Sequence, residues 1–294
     1  AASRKQQRRQ GDQAGAGDVT FNQVRTPNGD IRLATDASDL TAVFVQTLRG
    51  DIAAVSGDDL FVRDIVNAAN GDVVLTAERN LVLEGESSVT ASDTAMLFSG
   101  ADTLMGAESR VNADVVVMAA EGNLKMATAS VVWGYSEVDI TAANAVIELI
   151  QSGTGMALTG GMVSITATEG SITVNTDDAA ADIVADEVVH IGADGIGHNP
   201  ISGGVKASID IAGAEIVDAI TTGDNGIIDL DLANTGAVVT IEAHTLGEDA
   251  DIILDNTGSP LRMAYVATQN GDVVVTSNRG VDMVHVWALD AGVI

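Results

Sequence analysis

Asn70–Leu83 reads NGDVVLTAERNLVL, and Asn270–Met283 reads NGDVVVTSNRGVDM. Seven of the fourteen positions are identical: Asn, Gly, Asp, Val, Val, Thr and Arg. Counted from Gly71, apolar residues fall at +2, +4, +10 and +12, which are Val73, Leu75, Leu81 and Leu83. The same offsets from Gly271 give Val273, Val275, Val281 and Met283, and from Gly50 they give Ile52, Ala54, Leu60 and Val62. Each copy is a turn, a short strand with one apolar face, a break, and a second short strand.

The unit recurs. Gly-Asp followed by Val or Ile stands at Gly17, Gly29, Gly50, Gly71 and Gly271, and the step from Gly29 to Gly50 equals the step from Gly50 to Gly71. Gly122 and Gly170 open what read as degenerate copies of the same turn. Strict alternation also marks Val138–Ala142, Val163–Ala167, Ile228–Leu232 and Val239–Ala243 as half-buried strands. Residues 141–151 are the best helical candidate, and they read equally well as a strand.

Composition agrees with a thin core. Aromatic residues make up only 3% of the chain, against 46% apolar residues overall and 31 glycines. A thick globular core of this length would carry more rings. Short β-branched strands at a fixed period instead predict an all-β parallel β-helix, a β-solenoid with coils of about 20 residues. Glycine and Asn would take the left-handed corners, and Asp would use its carboxylate to accept from turn amides. About 13 coils at about 4.8 Å per strand would give a rod of about 60 Å. A two-sheet sandwich is the competing architecture, and an in-register repeat with so few aromatics argues against it.

Charge bounds the partners. The formal charge is −28, and four of the 14 basic residues (Arg4, Lys5, Arg8 and Arg9) lie in the first ten positions. The acidic remainder repels nucleic acid and anionic membrane. With no Cys, thiolate chemistry and disulfides are excluded. No apolar run approaches the length of a membrane-spanning helix. The N-terminus lacks the apolar segment of a signal peptide and the chain does not begin with Met, so a processed form or a piece of a longer protein is expected.

Along the chain, 1–16 read as a basic low-complexity arm or linker, 17–190 as solenoid repeats, 191–205 as a Gly-rich break, and 206–294 as repeats continuing. Within 190–283, Gly195-Ile196-Gly197, Asn199-Pro200, Gly226-Ile227-Ile228 and Asn234-Thr235-Gly236 follow one another. This pattern resembles the repeats of giant bacterial surface exoproteins, the filamentous-haemagglutinin-like adhesins. The resemblance implies a right-handed β-helix, secretion to the cell surface, and a structural or adhesive role. The match departs from that family in two ways: TPNGDI at 26–31 is only a faint echo of its secretion domain, and no C-terminal anchor is recognisable.

Chemistry is sparse. His190, His198, His244 and His285 lack zinc-ligand spacing, and His285 reads as strand-packed. There is no nucleophile elbow or phosphate loop, and GADGIG at 192–197 is not followed by a helix. Arg79 and Arg279 follow strands and read as turn residues. No catalytic, cofactor-binding or metal residue is therefore assigned, and the chain is read as non-enzymatic. Calcium is the one ion considered, through Asp177, Asp178, Asp224, Glu248, Asp249, Asp251 and Asp255 at expected corners, although the nonapeptide of calcium-binding rolls is missing. Trp133, Tyr135, Tyr265 and Trp287 could form a sugar-stacking platform. The expectation is a secreted acidic rod in a surface fibre, filament or sheath, self-associating end to end through open solenoid ends and the basic arm. The alternative is an adhesin module for a glycan or receptor. A remote third is a polysaccharide lyase using Lys125 and Lys206.

Overall fold

The computed structural model describes residues 17–153, 161–176, 180–185, 187–197, 208–233 and 238–289. Among them are 30 strands, every pairing parallel, and no helix. The chain is a β-solenoid of about 11 turns, with successive coils about 22 residues apart. The count falls short of 13 because the coils lengthen in the middle. Ile31 stacks on Ile52 and Ile52 on Val73, the same interval of 21 residues that separates Asp30, Asp51 and Asp72. Glu137, Met162, Val188 and Ile216 then stack at longer intervals, which reach 28 residues where His190 meets Asp218. The short interval returns where Ile252 meets Val273.

Each coil contributes to columns of stacked strands. One column runs from Ile31–Ala34 through Ile52–Ser56, Val73–Ala77 and Thr94–Ser99 to Met162–Ala167, Ile216–Thr221 and Val239–Thr245. A second runs through Leu81–Leu83, Thr103–Met105, Asn123–Met126 and Asn144–Ile147 to Ser171–Val174. A third runs through Ser88–Ala91, residues 110–112, residues 131–134 and Leu149–Ser152. The second and third columns are carried by one long strand at the start of the rod, Leu40–Thr47 and then Leu60–Ala68, with a register shift between Ala42 and Phe44. They merge again at Ile228–Ala233, where Ile228 meets Ile196 and Leu230 meets Ile209.

The alternating residues face a single continuous core. Val73, Leu75, Leu81 and Leu83 are fully buried, as are Ile52, Leu60 and Val62. Stacking places like on like, so Ile, Leu, Val and Ala fill the narrow axis and ring-sized side chains are not required. The four alternating runs read from the sequence all lie in strands, Val131–Ala142, Met162–Ala167, Ile228–Ala233 and Val239–Thr245. Residues 141–151 are strand throughout most of their length, in Asn144–Ile147 and Leu149–Ser152.

The two copies of the opening stretch share one local structure. Val73–Ala77 and Val273–Ser277 follow the Asn-Gly-Asp turn, and Leu81–Leu83 and Val281–Met283 follow the break. The copies nevertheless stand at different corners, and Gly122 and Gly170 share the corner of Gly271, not that of Gly71. Gly122 and Gly170 precede Asn123–Met126 and Ser171–Val174, which belong to the second column, whereas Gly29, Gly50 and Gly71 precede strands of the first. Val273 stacks down through Ile252, Ile228 and Ile196 to Ile172, so the Gly-opened turn serves two corners of the coil. A third corner holds Glu86, Glu108 and Ala129 at positive φ, each followed by a fully buried Ser: Ser87, Ser109 and Ser130.

Of the Gly-rich stretch at 191–205, residues 191–196 continue the strand columns. Residues 198–205 lie outside the described residues, as do Asn234-Thr235-Gly236 and the arm at 1–16.

Candidate functional site

The side chains that recur with the coil are carboxylates and amides at the corners. At the Gly-Asp corner the Asp51 amide donates to Asp30 Oδ1 at 3.2 Å, and the Asp72 amide to Asp51 Oδ1 at 3.0 Å. Asp72 Oδ1 in turn accepts from the Thr94 amide at 2.9 Å. Far along the chain, at the corner before the second column, the Asp272 amide likewise donates to Asp251 Oδ1 at 2.7 Å. Each Asp thus caps a backbone N–H of the next coil.

The corner before the second column carries a longer ladder. The amides of Asp59, Asn80, Asp102 and Asn123 donate to Asp39, Asp59, Asn80 and Asp102 at 3.1, 3.0, 3.2 and 2.8 Å. Asn144 Nδ2 donates to Asn123 Oδ1 at 3.0 Å, and the Ser171 amide donates to Asn144 Oδ1 at 3.2 Å. Where Asp and Asn alternate, no two carboxylates are neighbours. Asp39 and Asp59 are neighbours, and Arg79 sits there: its Nε and Nη2 lie 2.9 and 2.7 Å from Asp59 and its Nε also 2.9 Å from Asp58. The guanidinium holds the Asp59 carboxyl below its ordinary value, against the opposing effect of burial. Among the described residues, Asp39, Asp58 and Asp59 are the three carboxylates close enough to share a cation, with ligand atoms within 4.8 Å of one another. Arg79 already supplies positive charge to two of them.

The acidic residues considered for calcium do other work. Asp224 accepts from the Glu248 amide at 3.1 Å, Asp251 caps Asp272, and Asp249 sits at φ 53° in a turn. Asp177 and Asp178 lie outside the described residues. Asp255 stands in an outward row with Asp231 and Asp210. Asp231 is half-buried, its Oδ1 has no hydrogen-bond partner, and burial first and the Asp255 charge second push its carboxyl up.

A second outward row holds Asp139, Ser164, His190, Asp218, Glu242 and Tyr265 on successive coils. Within it His190 Nδ1 lies 3.2 Å from Asp218 Oδ2. His244 packs edge-on against Tyr265 with centroids 4.2 Å apart. His285, expected to be strand-packed, is exposed at the bend between Val281–Met283 and Val286–Ala288. It sits in the last described coil, where no described strand stacks beyond it. His198 and Lys206 lie outside the described residues. Lys125 is exposed, with Leu104 and Val146 as its row neighbours. Arg279 is a turn residue, its amide donating to Ser277 Oγ and its carbonyl accepting from the same hydroxyl, both at 3.2 Å.

The four aromatics do not form one platform. Trp133 and Tyr135 stand 5.2 Å apart on one strand, while Tyr265 and Trp287 belong to coils near the far end. A shallow groove of about 690 Å³ runs across Thr76, Glu78, Phe98, Glu121, Thr141 and Thr168, with Phe98 between two exposed carboxylates. It was not legible in the sequence, because its residues come from five coils.

The corner ladders bind coil to coil through polar groups that also face solvent. What this arrangement does is hold register along an axis. No protein-family model, no curated protein and no solved structure matches this chain.

Proposed function

We propose that this chain is a non-enzymatic structural rod, a secreted acidic β-solenoid that forms part of a surface fibre, filament or sheath. The observation that carries the reading is the Asp39-to-Ser171 ladder, in which side-chain oxygens tie each coil to the next over six successive steps. Hydrogen bonds of this kind contribute about 0.5–1.5 kcal/mol each, and more where a carboxylate accepts. Their repetition stiffens a column that already shares one apolar core. The excess of acidic side chains keeps such rods apart in solution. Secretion and the cell-surface setting rest on the resemblance to adhesin repeats.

Limited proteolysis and electron microscopy of the purified chain, with and without millimolar calcium, test the reading. Rods about 50 Å long, from about 11 turns at about 4.8 Å each, that resist trypsin are expected. Flexible or rapidly degraded particles would sink it.

The groove around Phe98 favours a second reading, an adhesin module. An aromatic face flanked by Glu78 and Glu121 and by threonine hydroxyls offers stacking and hydrogen bonds to a sugar. A glycan array with the wild-type chain and Phe98→Ala separates the two: binding lost in the variant supports the module, and an array without hits counts against it.

A further inference from the structure

We infer that one lateral face of the rod, on the coils of Ile52, Val73, Ala95 and Val116, is a pairing surface for a second copy of this chain, the two rods lying antiparallel and face to face. This inference rests on the structural-rod reading and names a lateral interface for it.

The face follows from alternation in the first column. Ile52 and Ala54, and likewise Val73 and Leu75, point into the core, so the residues between them point out. One outward row runs Ala53, Val74, Met96 and Val117. The next runs Val55, Thr76, Phe98 and Ala119. These pairings carry no register shift, so the side chains stand in straight lines. Val55 is 42% exposed and the others are half-buried. No charged residue occurs in Ile52–Ser56, Val73–Ala77, Thr94–Ser99 or 115–120, in a chain of formal charge −28. Farther along the rod the first of these rows turns polar, with Asp139, His190, Asp218 and Glu242. An uncharged, apolar-rich face set into so acidic a surface marks an interaction site.

Charge and shape point to a second copy as its occupant. The first row is bounded by Arg32 on the coil before and by Asp139 on the coil after. Among the described residues neither makes an ion pair. A two-fold axis along the strand direction, passing between Val74 and Met96, lays Arg32 of each copy opposite Asp139 of the other. Such an axis reverses the rod and keeps the strand direction, so each row faces itself in reverse order, as a self-complementary patch must. Val74 then faces Met96, and Ala53 faces Val117. In the second row Thr76 faces Phe98 and Val55 faces Ala119, so larger side chains oppose smaller ones. The shallow groove across Thr76, Phe98 and Ala119 takes the ring of the second copy's Phe98.

The rims obey the same symmetry. Along one of them acid and glycine alternate: Gly57 stacks on Asp36, Gly100 on Glu78, and Glu121 follows on the next coil. Reversed, Glu78 faces Gly100 and Glu121 faces Gly57, so no two of these carboxylates meet. On the other rim Asp72 faces Thr94 and Asp51 faces Val115. Asp30 opposite Glu137 is the like-charge contact that remains, and Arg32 stands beside it. Moving the axis onto the Met96 coil would set Glu78 against Glu121 and Arg32 against Ser164, so the register is specified. From the Arg32 coil to the Asp139 coil the face measures about 29 Å by about 17 Å. Two copies cover about 1,000 Å² in all, the least that a specific interface needs, so the pairing depends on concentration.

Sedimentation velocity of the full 294-residue chain tests the pairing, at about 0.15 M salt, where the screening length is about 8 Å. The wild type should pass from single rods to pairs in the micromolar range. Arg32→Glu and Asp139→Arg should each weaken self-association at least tenfold. Mixing these two variants should restore pairs, because a chain with acid at both 32 and 139 meets a chain with base at both. Met96→Lys, on the outward row, should abolish pairing while circular dichroism and the melting curve show a folded rod. A wild type that stays single at high concentration, charge variants that pair as the wild type does, or a mixture that recovers nothing would each overturn this interface and leave the rod reading standing. Single rods that bind a glycan through Phe98 would overturn it too and give the face to a sugar. Loss of protease resistance in the wild type would remove the rod reading instead.

Discussion

Gly50 rests on Gly29: a Cβ placed on Gly50 would lie 2.6 Å from the Gly29 carbonyl carbon and 2.9 Å from Asp30 Oδ1. The coils approach this closely at the corner because the Asp51 amide must reach the Asp30 carboxylate. Gly50 has φ 129° and Gly29 has φ 107°, so both sit where L side chains are strained. Gly50 carries a steric demand in addition. Gly50→Ala should therefore cost about 2–4 kcal/mol and Gly29→Ala about 1 kcal/mol. Chemical denaturation of the two variants side by side checks the order. Equal losses would mean that the backbone angle alone decides.

Asp102 accepts from both the Asn123 amide, at 2.8 Å, and Asn123 Nδ2, at 2.9 Å. Replacing it with Ala leaves a partly buried N–H without its acceptor and should cost about 1–3 kcal/mol. Asp102→Asn keeps an acceptor oxygen and should cost less than half of that. The measurement is the denaturation midpoint of each variant. An equal loss in both would show that the charge, and not the acceptor, matters.

Arg79 determines how the start of the rod responds to acid. Its hydrogen bond is the main reason that the Asp59 carboxyl lies below its ordinary value of 3.8. A carboxyl depressed in the folded state contributes stability that is present above the unfolded value and is lost as pH falls through the folded one. Arg79→Ala should make the stability curve below about pH 4 shallower and lower stability at pH 7 only slightly, since Arg79 is more than half exposed and solvent screens the pair. Melting temperatures between pH 2 and 7 check both parts.

Asp231 acts in the opposite sense. Burial and Asp255 push its carboxyl above 3.8, so the folded state holds that proton more tightly than the unfolded chain. Stability from this residue is present below the unfolded value and is lost as pH rises through the folded one. Asp231→Asn should raise stability at pH 7 by about 0.5 kcal/mol, the scale of a like-charge pair across neighbouring strands. The gain should vanish near pH 3. A variant that is less stable than wild type at pH 7 would show that Asp231 Oδ1 has an attractive partner.

Salt should stabilise the rod. With a formal charge of −28 and rows such as Asp210, Asp231 and Asp255 in register, exposed carboxylates repel along the axis. Raising ionic strength from about 0.01 to 0.15 M shortens the screening length from about 30 to 8 Å. The melting temperature should rise over that range and rise less in Asp231→Asn.

The sequence by itself determined the strand period, the inward residues and the Gly-Asp corner. Val73, Leu75, Leu81 and Leu83 were readable because alternation is a local property, and the core buries all four. The glycines at 29, 50 and 71 were readable because equal intervals put them in register without knowledge of the fold. Tertiary structure decided everything that depends on unequal intervals. Gly71 and Gly271 open the same stretch of sequence and stand at different corners, because which column a strand joins is set by its stacked neighbours. His190 and Asp218 are 28 residues apart, and only a lengthened coil brings the imidazole within 3.2 Å of the carboxylate. The mixed Asp and Asn ladder has one partner per coil at intervals from 20 to 27 residues, so no single period reveals it. A local pattern fixes which face of a strand is apolar. The number of residues in each turn fixes which strands meet, and that length is free to vary wherever the turn lies outside the stacked core.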